Sequence, residues 1–289
     1  MTSNKDLKRR VEARGEKKAS WAPGSGRVDR KLRLSHGDEM GSLRSQVVGS
    51  IKWVLARQGG VLVSTSRFGI DPFADVKRLA TEWKYPVSTI FDVGASEGES
   101  TLNALNTFPK ARVLGFEPHP STFANLMAKV GGNPRFQGFN VALGTEIGEV
   151  EMIEYDKFKA NSLTPNNPHS TRFNTRGRSI RVQETTLDTF CAEHSIDNID
   201  LLKTDVEGFD LVVLQGSRLM LQKRAIKFIL VEFFDLLPKE GVFGGALMPF
   251  QDLLGPFGFR FVAAYNGYIS TAGEMFSTSN ALFCLPPRR

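Results

Sequence analysis

The chain has 289 residues, of which 41% are hydrophobic and 24% are charged. This composition is ordinary for a globular protein, so it excludes collagen-like and wholly disordered chains. No stretch of the sequence stays apolar for the roughly 18 residues of a membrane-spanning helix, and we therefore expect no membrane span.

The positive charge of the chain is concentrated at its N-terminus. Residues 1–40 hold eleven lysines and arginines and six aspartates and glutamates, a net charge of +5, whereas the remaining 249 residues have a net charge of +1. The segment has little apolar periodicity, so we predict a disordered basic tail over residues 1–40. Such a tail could attract phosphate-rich partners or membrane surfaces, but a solvated extension without a partner explains the composition more simply.

The cysteine content gives a first indication of the cellular compartment. Cys191 and Cys284 lie 93 residues apart and belong to no CxxC pair, which argues against a disulfide framework or a structural zinc site. The first residues are polar and lack the apolar region of a secretory signal. We therefore expect a cytoplasmic protein.

Helical patterns precede the main part of the chain. Apolar residues between positions 42 and 57 recur at helical spacing, which predicts an amphipathic helix. A second helix is predicted over residues 73–83, because the sequence Gly-Ile-Asp-Pro at 69–72 is typical of a turn followed by a helix start. Residues 41–85 are therefore predicted to form a helical preamble.

From residue 86 to residue 289 short apolar runs alternate with amphipathic stretches. The predicted strands are 87–93, 112–116, 136–143, 149–155, 199–204, 226–233, 259–264 and 281–285. The predicted helices are 100–108, 120–130, 187–193, 209–221 and 246–254. This alternation predicts an α/β fold with a mainly parallel sheet covered on both faces.

One long polar segment interrupts the alternation. Residues 157–178 are rich in asparagine and contain two prolines. Loops of this length are uncommon in compact domains unless they are functional or disordered. We interpret the segment as a lid or a loop on the substrate side, with a mobile surface insertion as the alternative.

A glycine-containing turn follows the first predicted strand. Gly94 and Gly98 permit a tight turn and a close approach of backbone to a ligand, and ligands of open α/β sheets bind at the carboxyl ends of the strands. The middle glycine of a dinucleotide-binding G-x-G-x-x-G motif is missing. Asp92 and Glu97 add negative charge, which would repel a diphosphate but suits a ligand that carries an ammonium and a sulfonium.

Carboxylates follow three further strands. Glu117, 19 residues beyond Gly98, could accept hydrogen bonds from the two hydroxyls of a ribose. Asp205 and Glu207 end the strand at 199–204, and Glu232 lies among apolar residues at the end of the next strand. The plainer alternatives are a solvated or capping role for Glu117, helix capping for Glu207 and a salt bridge for Glu232.

Six segments, taken in order, resemble the FkbM family of S-adenosylmethionine-dependent methyltransferases. They are FDVGASEG, LGFEPHP, FNVALG, TTLDTF, LLKTDVEGFDLVVLQG and ILVE. The resemblance implies a Rossmann-like class I methyltransferase fold, with a seven-stranded, mainly parallel sheet whose last strand is antiparallel. It also implies methylation of hydroxyl oxygens on sugars, glycolipids, polyketides or related small molecules.

The resemblance assigns residues to the two halves of a site. Asp92, Gly94, Ser96 and Gly98 would form the cofactor loop, Glu117 would hold the ribose, and Asn140 and Ala142 would lie beside the adenine. Asp205, Glu207 and Glu232 would line the acceptor side. Two positions depart from the family pattern, since Ser96 stands where asparagine is common and Thr204 where an aliphatic residue is usual.

Transfer to a hydroxyl needs a group that removes its proton. Asp205 is the favoured base or acceptor-orienting group, and Glu207 is the second choice. His119 and His169 are weaker alternatives. A divalent cation held by Asp205 and Glu232 is compatible with strand-end carboxylates, but nothing in the sequence requires one.

Three other functions fit parts of the sequence. The stretch from Gly94 to Gly98 also matches the G-x-S-x-G nucleophile elbow of hydrolases, but the last histidine is His194, 95 residues before the end. A nucleic-acid methyltransferase would use the basic tail, although the rest of the chain is nearly neutral. A non-catalytic module that only binds S-adenosylmethionine is the third alternative.

Overall fold

The computed structural model describes residues 68–155, 177–234, 245–270 and 276–287. The predicted tail, the predicted helix at 42–57 and nearly all of the long polar segment lie outside these residues, and so does His169. Within the described ranges, no helix has both the length and the apolar character that crossing a bilayer requires.

Helices and strands alternate along the described chain. The helices are α1 Pro72–Glu82, α2 Glu99–Thr107, α3 Pro120–Val130, α4 Leu187–Glu193, α5 Asp210–Gln215, α6 Arg218–Gln222 and α7 Leu247–Leu254, followed by a 3-10 turn at Gly255–Phe257. The strands are β1 Thr89–Val93, β2 Arg112–Phe116, β3 Phe136–Phe139, β4 Ala142–Gly144, β5 Gly148–Tyr155, β6 Gly177–Thr186, β7 Ile199–Thr204, β8 Ile226–Phe233, β9 Arg260–Ser270 and β10 Phe276–Cys284.

Seven of these strands form the central sheet, in the order β3-β2-β1-β7-β8-β10-β9. β3, β2, β1, β7 and β8 pair in parallel, and β10 pairs antiparallel with both β8 and β9. The last strand is therefore the antiparallel one, inserted between two strands that share the direction of the others. This confirms the predicted fold class. Strand order reverses between β1 and β7, which is where such sheets bind ligands.

The sheet is apolar because both of its faces are covered. Every residue of β1 and of β7 is buried. On one face, Phe91 and Leu202 pack in a cluster with residues of α4, α5 and α7, and on the other, Ile90 and Leu201 pack with residues of α1, α2 and α3. A charged residue inside either strand must therefore find a buried partner.

The helix predicted before the sheet is confirmed as α1. Asp71 caps its N-terminus by accepting hydrogen bonds from the backbone N–H groups of Phe73 and Ala74 at 2.9 and 3.2 Å. The buried carboxylate of Asp75 accepts a hydrogen bond of 2.9 Å from the Tyr265 hydroxyl of β9. α1 thus shares a core with the sheet, and the predicted domain boundary at residue 86 stays a prediction.

One predicted strand and one predicted helix are each divided in two in the structure. The strand predicted over 136–143 ends at Phe139, and β4 then joins a separate three-stranded sheet of order β4-β6-β5. The helix predicted over 209–221 breaks at Gly216, where a Cβ atom would lie 1.9 Å from the Gly144 carbonyl oxygen. β6 was not predicted, and its first two residues lie within the segment assigned to the loop.

Candidate active site

The carboxyl ends of β1 and β7 meet at the centre of the sheet. Asp92 pairs in register with Lys203, and beyond the strands the Asp205 N–H donates to the Val93 carbonyl at 3.0 Å. Gly94 packs so tightly here that a Cβ atom would lie 2.0 Å from the Asp205 carbonyl oxygen. The glycine turn and the start of the predicted acceptor side are therefore in direct backbone contact.

The turn after β1 depends on left-handed backbone at three positions. Gly94, Ser96 and Gly98 have φ angles of 75°, 49° and 86°. A Cβ atom on Gly98 would lie 2.7 Å from Val130 Cγ2 of α3, so this glycine permits close packing of the turn on a helix. Asparagine adopts left-handed backbone more readily than serine, so Ser96 adds some backbone strain to the turn.

Asp92 stabilises the turn through contacts of its buried carboxylate. Its carboxylate is 1% exposed, and Oδ2 accepts hydrogen bonds of 2.6 Å from the hydroxyls of Ser100 and Thr101 on α2. Oδ1 lies 3.1 Å from Lys203 Nζ. Both oxygens of Asp92 thus contact protein groups, which fixes the start of α2 against the sheet.

Glu117 lies beside the turn, at the end of β2. It is 6% exposed, with Oε2 accepting from the Ser96 N–H at 3.0 Å and Oε1 accepting from the His119 N–H at 2.9 Å. Burial raises the pKa of this carboxyl above its ordinary value, although the two backbone hydrogen bonds and the neighbouring imidazole oppose the change. Two fixed oxygens that each retain a lone pair can accept the hydroxyls of a vicinal diol.

Asn140 and Ala142 occupy different surroundings. The exposed side chain of Asn140 donates to the carbonyl oxygens of Glu117 and Pro118, both at 2.8 Å, and so holds the loop after β2. Ala142 is buried in the small apolar cluster of the three-stranded sheet, with Met152 and Val182. The structure therefore brings Asn140 to the Glu117 edge, and Ala142 could contact a ligand there only through its backbone.

The imidazole of His119 is engaged at both nitrogens. Nδ1 accepts the Thr122 N–H at the start of α3 and lies 3.1 Å from the Ser121 hydroxyl. Nε2 is 2.9 Å from Glu154 Oε1 on β5. Glu154 in turn binds Arg178 of β6 at 2.5 Å. These contacts make His119 a helix cap and a link to the second sheet, which leaves it poorly placed to act as a base.

Lys203 is a buried lysine between two carboxylates. It is 6% exposed, and its Nζ atom lies 3.1 Å from Asp92 Oδ1 and 3.5 Å from Asp205 Oδ2. Burial alone would lower its pKa, but Asp92 and Asp205 raise the pKa above the ordinary value for lysine. Asp205 keeps 40% of its side-chain surface exposed, so its carboxylate is accessible from solvent.

The loop after β7 is held by a buried aspartate that the sequence analysis did not single out. Asp210 is fully buried and accepts a hydrogen bond of 2.6 Å from the Thr204 hydroxyl and one of 3.2 Å from the Glu232 N–H. Burial is the largest cause that raises its pKa to about 6. Glu207 lies within this loop with a φ angle of 55°, a left-handed conformation that its surroundings must stabilise.

Glu232 completes the acidic group at the end of β8. Its Oε2 atom is buried and, in the described structure, accepts no hydrogen bond. Burial first, and then the charges of Asp205, Glu207 and Asp210, raise its pKa well above the ordinary value, while Lys203 acts in the opposite direction. A carboxyl group in this environment is favoured in its neutral, protonated form.

The residues described in the structure do not converge into a metal centre. Across those ranges, no group of three or more histidine, cysteine, aspartate or glutamate side chains has an arrangement suited to a metal ion. Asp205 and Glu232 are near enough to influence each other electrostatically, but a cation shared by them remains a prediction.

The structure thus brings most predicted site residues to one edge of the sheet. The turn residues and Glu117 lie on the β1–β2 side, and Asp205, Glu207 and Glu232 lie on the β7–β8 side. Two contributors, Lys203 and Asp210, were assigned no role from the sequence, although Lys203 was placed at the same strand end as Asp205. A signal for the first was present, because Asp92 and Lys203 each place a charge inside a strand that is predominantly apolar.

Strand order, the antiparallel last strand and the glycine turn after β1 define a class I methyltransferase fold. The family model for the methyltransferase FkbM domain matches residues 92–261, well over half of the chain. The chain belongs to the FkbM methyltransferase family. It is an S-adenosylmethionine-dependent methyltransferase, which removes the hydrolase interpretation of Gly94–Gly98.

Curated relatives match about half of this chain. The 2-O-methyltransferase NoeI of Sinorhizobium fredii is 28% identical over 174 residues, which cover 57% of this chain and 71% of that protein. The hexuronic acid methyltransferase AglP of Haloferax volcanii is 28% identical over 159 residues, which cover 55% of this chain and 61% of that protein. Methyltransferase sdnD of Sordaria araneosa is 27% identical over 172 residues, covering 48% and 66%.

Proposed function

We propose that this enzyme transfers the methyl group of S-adenosylmethionine to a hydroxyl oxygen of a small molecule. The acceptor is a sugar, a glycolipid or a polyketide-like compound. Two relatives support the reaction class, since the names of NoeI and AglP specify 2-O-methylation and a hexuronic acid. The observation that carries the proposal is the backbone contact between the glycine turn and Asp205, because it joins a nucleoside-type site to a solvent-accessible carboxylate.

The chemistry of the edge fits the cofactor. Glu117 offers two fixed carboxylate oxygens to the ribose hydroxyls, and Ser96 and Asn140 hold the loops on either side of it. Asp92 and Glu97 give the glycine turn the negative charge that suits a ligand with a sulfonium and an ammonium group. When bound, S-adenosylmethionine supplies a methyl group that the sulfonium has already activated.

The residues of the chain then have three tasks. They align the acceptor oxygen with the methyl carbon, which in favourable cases lowers a barrier by on the order of 7–11 kcal/mol. Asp205 accepts the hydroxyl proton, for which a well-placed base contributes roughly 10²–10⁴-fold. Glu207 and a protonated Glu232 orient the acceptor, the latter as a hydrogen-bond donor. We assign no step to a divalent cation.

Nucleic acid is not the proposed acceptor. The basic excess lies in residues 1–40, and the rest of the chain has a net charge of +1, which offers little attraction for a phosphate backbone. We further propose that the enzyme works in the cytoplasm. Both cysteines, Cys191 and Cys284, are buried and unpaired, as expected of structural thiols in a reducing compartment.

The test is a transfer assay with labelled S-adenosylmethionine. Acceptors would be the methyl glycosides of a neutral hexose, a 6-deoxyhexose and a hexuronic acid, together with a hydroxylated fatty ester and a short RNA. Label on a hydroxyl oxygen of a glycoside or ester, with release of S-adenosylhomocysteine, is the expected result. Label on the RNA alone would refute the proposal, and cofactor binding without any transfer would favour the non-catalytic module.

A further inference from the structure

We infer that Lys203 is a positioning residue that holds the Asp205 carboxylate in its catalytic orientation. The inference rests on the proposed function, in which Asp205 accepts the proton of the acceptor. Lys203 has two carboxylate neighbours, and the one on β1 already has other partners.

Asp92 does not depend on Lys203 alone. Its Oδ2 atom accepts two hydroxyl hydrogen bonds of 2.6 Å from Ser100 and Thr101. Lys203 Nζ approaches only Oδ1. A neutral residue at 203 would therefore leave Asp92 with half of its contacts.

The Asp205 side chain, by contrast, depends mainly on Lys203 for its orientation. Its backbone is held by the hydrogen bond to Val93 and by the close approach of Gly94. Its carboxylate is 40% exposed, and its one ion pair in the described structure is the 3.5 Å contact with Lys203 Nζ. A short side chain on a fixed backbone can still rotate toward solvent, and the ammonium group restrains that rotation.

Asp205 lies among other acidic groups. It is close enough to Asp210 on α5 and to Glu232 on β8 to act on both electrostatically. A carboxylate in such surroundings needs a nearby cation to hold it in place. Lys203, which faces Asp92, Asp205 and Asp210, supplies the attraction that retains it.

A double-mutant cycle separates this role from simple structural support. The four proteins are the full-length wild type, Lys203→Met, Asp205→Asn and the double variant, with Lys129→Met as a control for the same change on an exposed part of α3. The measurements are kcat with the methyl glycoside that reacts fastest, and the Kd for S-adenosylhomocysteine. If Lys203→Met does not fold, Lys203→Gln replaces it, because the amide retains an N–H donor without the charge.

Positioning through Asp205 makes a specific prediction. Lys203→Met should lower kcat by about 10–100-fold in the wild-type background, as expected for a displaced catalytic group, and by less than about twofold in the Asp205→Asn background. The Kd for S-adenosylhomocysteine should stay within about threefold, and Lys129→Met should behave as the wild type.

Two results would overturn the inference. An equal loss of kcat in both backgrounds, or a rise in Kd that matches the fall in kcat, would make Lys203 a structural residue. Full activity of Asp205→Asn would instead remove the base assignment of the proposed function, and the inference with it. Where no glycoside reacts, the crystal structure of the Lys203 variant decides: an unmoved Asp205 carboxylate contradicts the inference, and a carboxylate turned to solvent supports it.

Discussion

The carboxylates on the two sides of the sheet edge differ in their hydrogen bonding and exposure. On the β1–β2 side, both oxygens of Glu117 and Asp92 Oδ2 accept hydrogen bonds. Asp92 Oδ1 is buried without a hydrogen bond among the described residues but lies 3.1 Å from the Lys203 ammonium group. On the β7–β8 side, the Glu232 Oε2 atom is buried without a hydrogen bond and Asp205 is partly exposed. The β1–β2 side is therefore preorganised, and the β7–β8 side keeps polar groups available.

This difference fits the two proposed functions, cofactor binding on one side and proton transfer on the other. A site that only binds gains from fixed geometry, because little ordering remains to be done when the ligand arrives. A site that moves a proton needs a carboxyl group whose protonation state can change near the working pH, and burial among like charges produces such groups. We expect substitutions on the two sides to separate cofactor affinity from turnover.

The largest effect is expected at Asp205. Asp205→Asn keeps the size of the side chain but removes the proton acceptor, so kcat should fall by roughly 10²–10⁴-fold. The Kd for S-adenosylhomocysteine should change by less than about threefold, and calorimetry and steady-state kinetics would measure both. Turnover at the wild-type rate would contradict the base assignment.

The contact between the two sides is tested at Gly94. Gly94→Ala would place a Cβ atom 2.0 Å from the Asp205 carbonyl at a φ angle of 75°, and the strain and the clash together should lower the free energy of unfolding by about 3 kcal/mol. Gly132→Ala is the matched control, because a Cβ atom there meets nothing within 4 Å. Equal stability of the two variants in urea denaturation would show that the contact is less tight than described.

A buried carboxyl group on the β7–β8 side should also change how the stability of the protein depends on pH. Asp210 has a pKa of about 6 in the fold against about 3.9 in the unfolded chain. Its raised pKa gives stability that is complete below about pH 4 and lost as the pH rises through 6. Between pH 4 and 7, the free energy of unfolding of the wild type should therefore fall by up to about 3 kcal/mol more than that of Asp210→Asn. Parallel curves for the two proteins would exclude this role of Asp210.

A smaller effect is expected at Glu117. Glu117→Ala removes the oxygens assigned to the ribose, and hydrogen bonds to a charged group are worth about 1.5–3 kcal/mol, so the Kd for S-adenosylhomocysteine should rise about 10–100-fold. Turnover at saturating cofactor should be largely retained. Glu149→Ala, on an exposed part of β5, is the control. An unchanged Kd for Glu117→Ala would show that other residues bind the ribose.

The sequence predicted the central sheet because its strands are short, mainly apolar runs separated by amphipathic helices. It failed where packing overrides local pattern. The break at Gly216 follows from the approach of Gly144, a contact between residues 72 positions apart, and the end of β3 at Phe139 follows from pairing of β4 in a second sheet. β6 could have been found, since its residues 179–183 alternate polar and apolar side chains.

The candidate site was predictable as a set of strand-end residues but not as a network. The spacing from Gly98 to Glu117 placed both on one edge. The partners of each carboxylate depend on register, and only the pairing of Asp92 with Lys203 reveals the buried ion pair. The engagement of His119 with α3 and β5 likewise requires the positions of three elements.

The most direct test of the division between the two sides is a calorimetric titration of S-adenosylhomocysteine into three proteins: the wild type, Glu117→Ala and Asp205→Asn. The account predicts nearly equal Kd values for the wild type and Asp205→Asn, and binding about 10–100-fold weaker for Glu117→Ala. Loss of binding in Asp205→Asn together with wild-type binding in Glu117→Ala would contradict it.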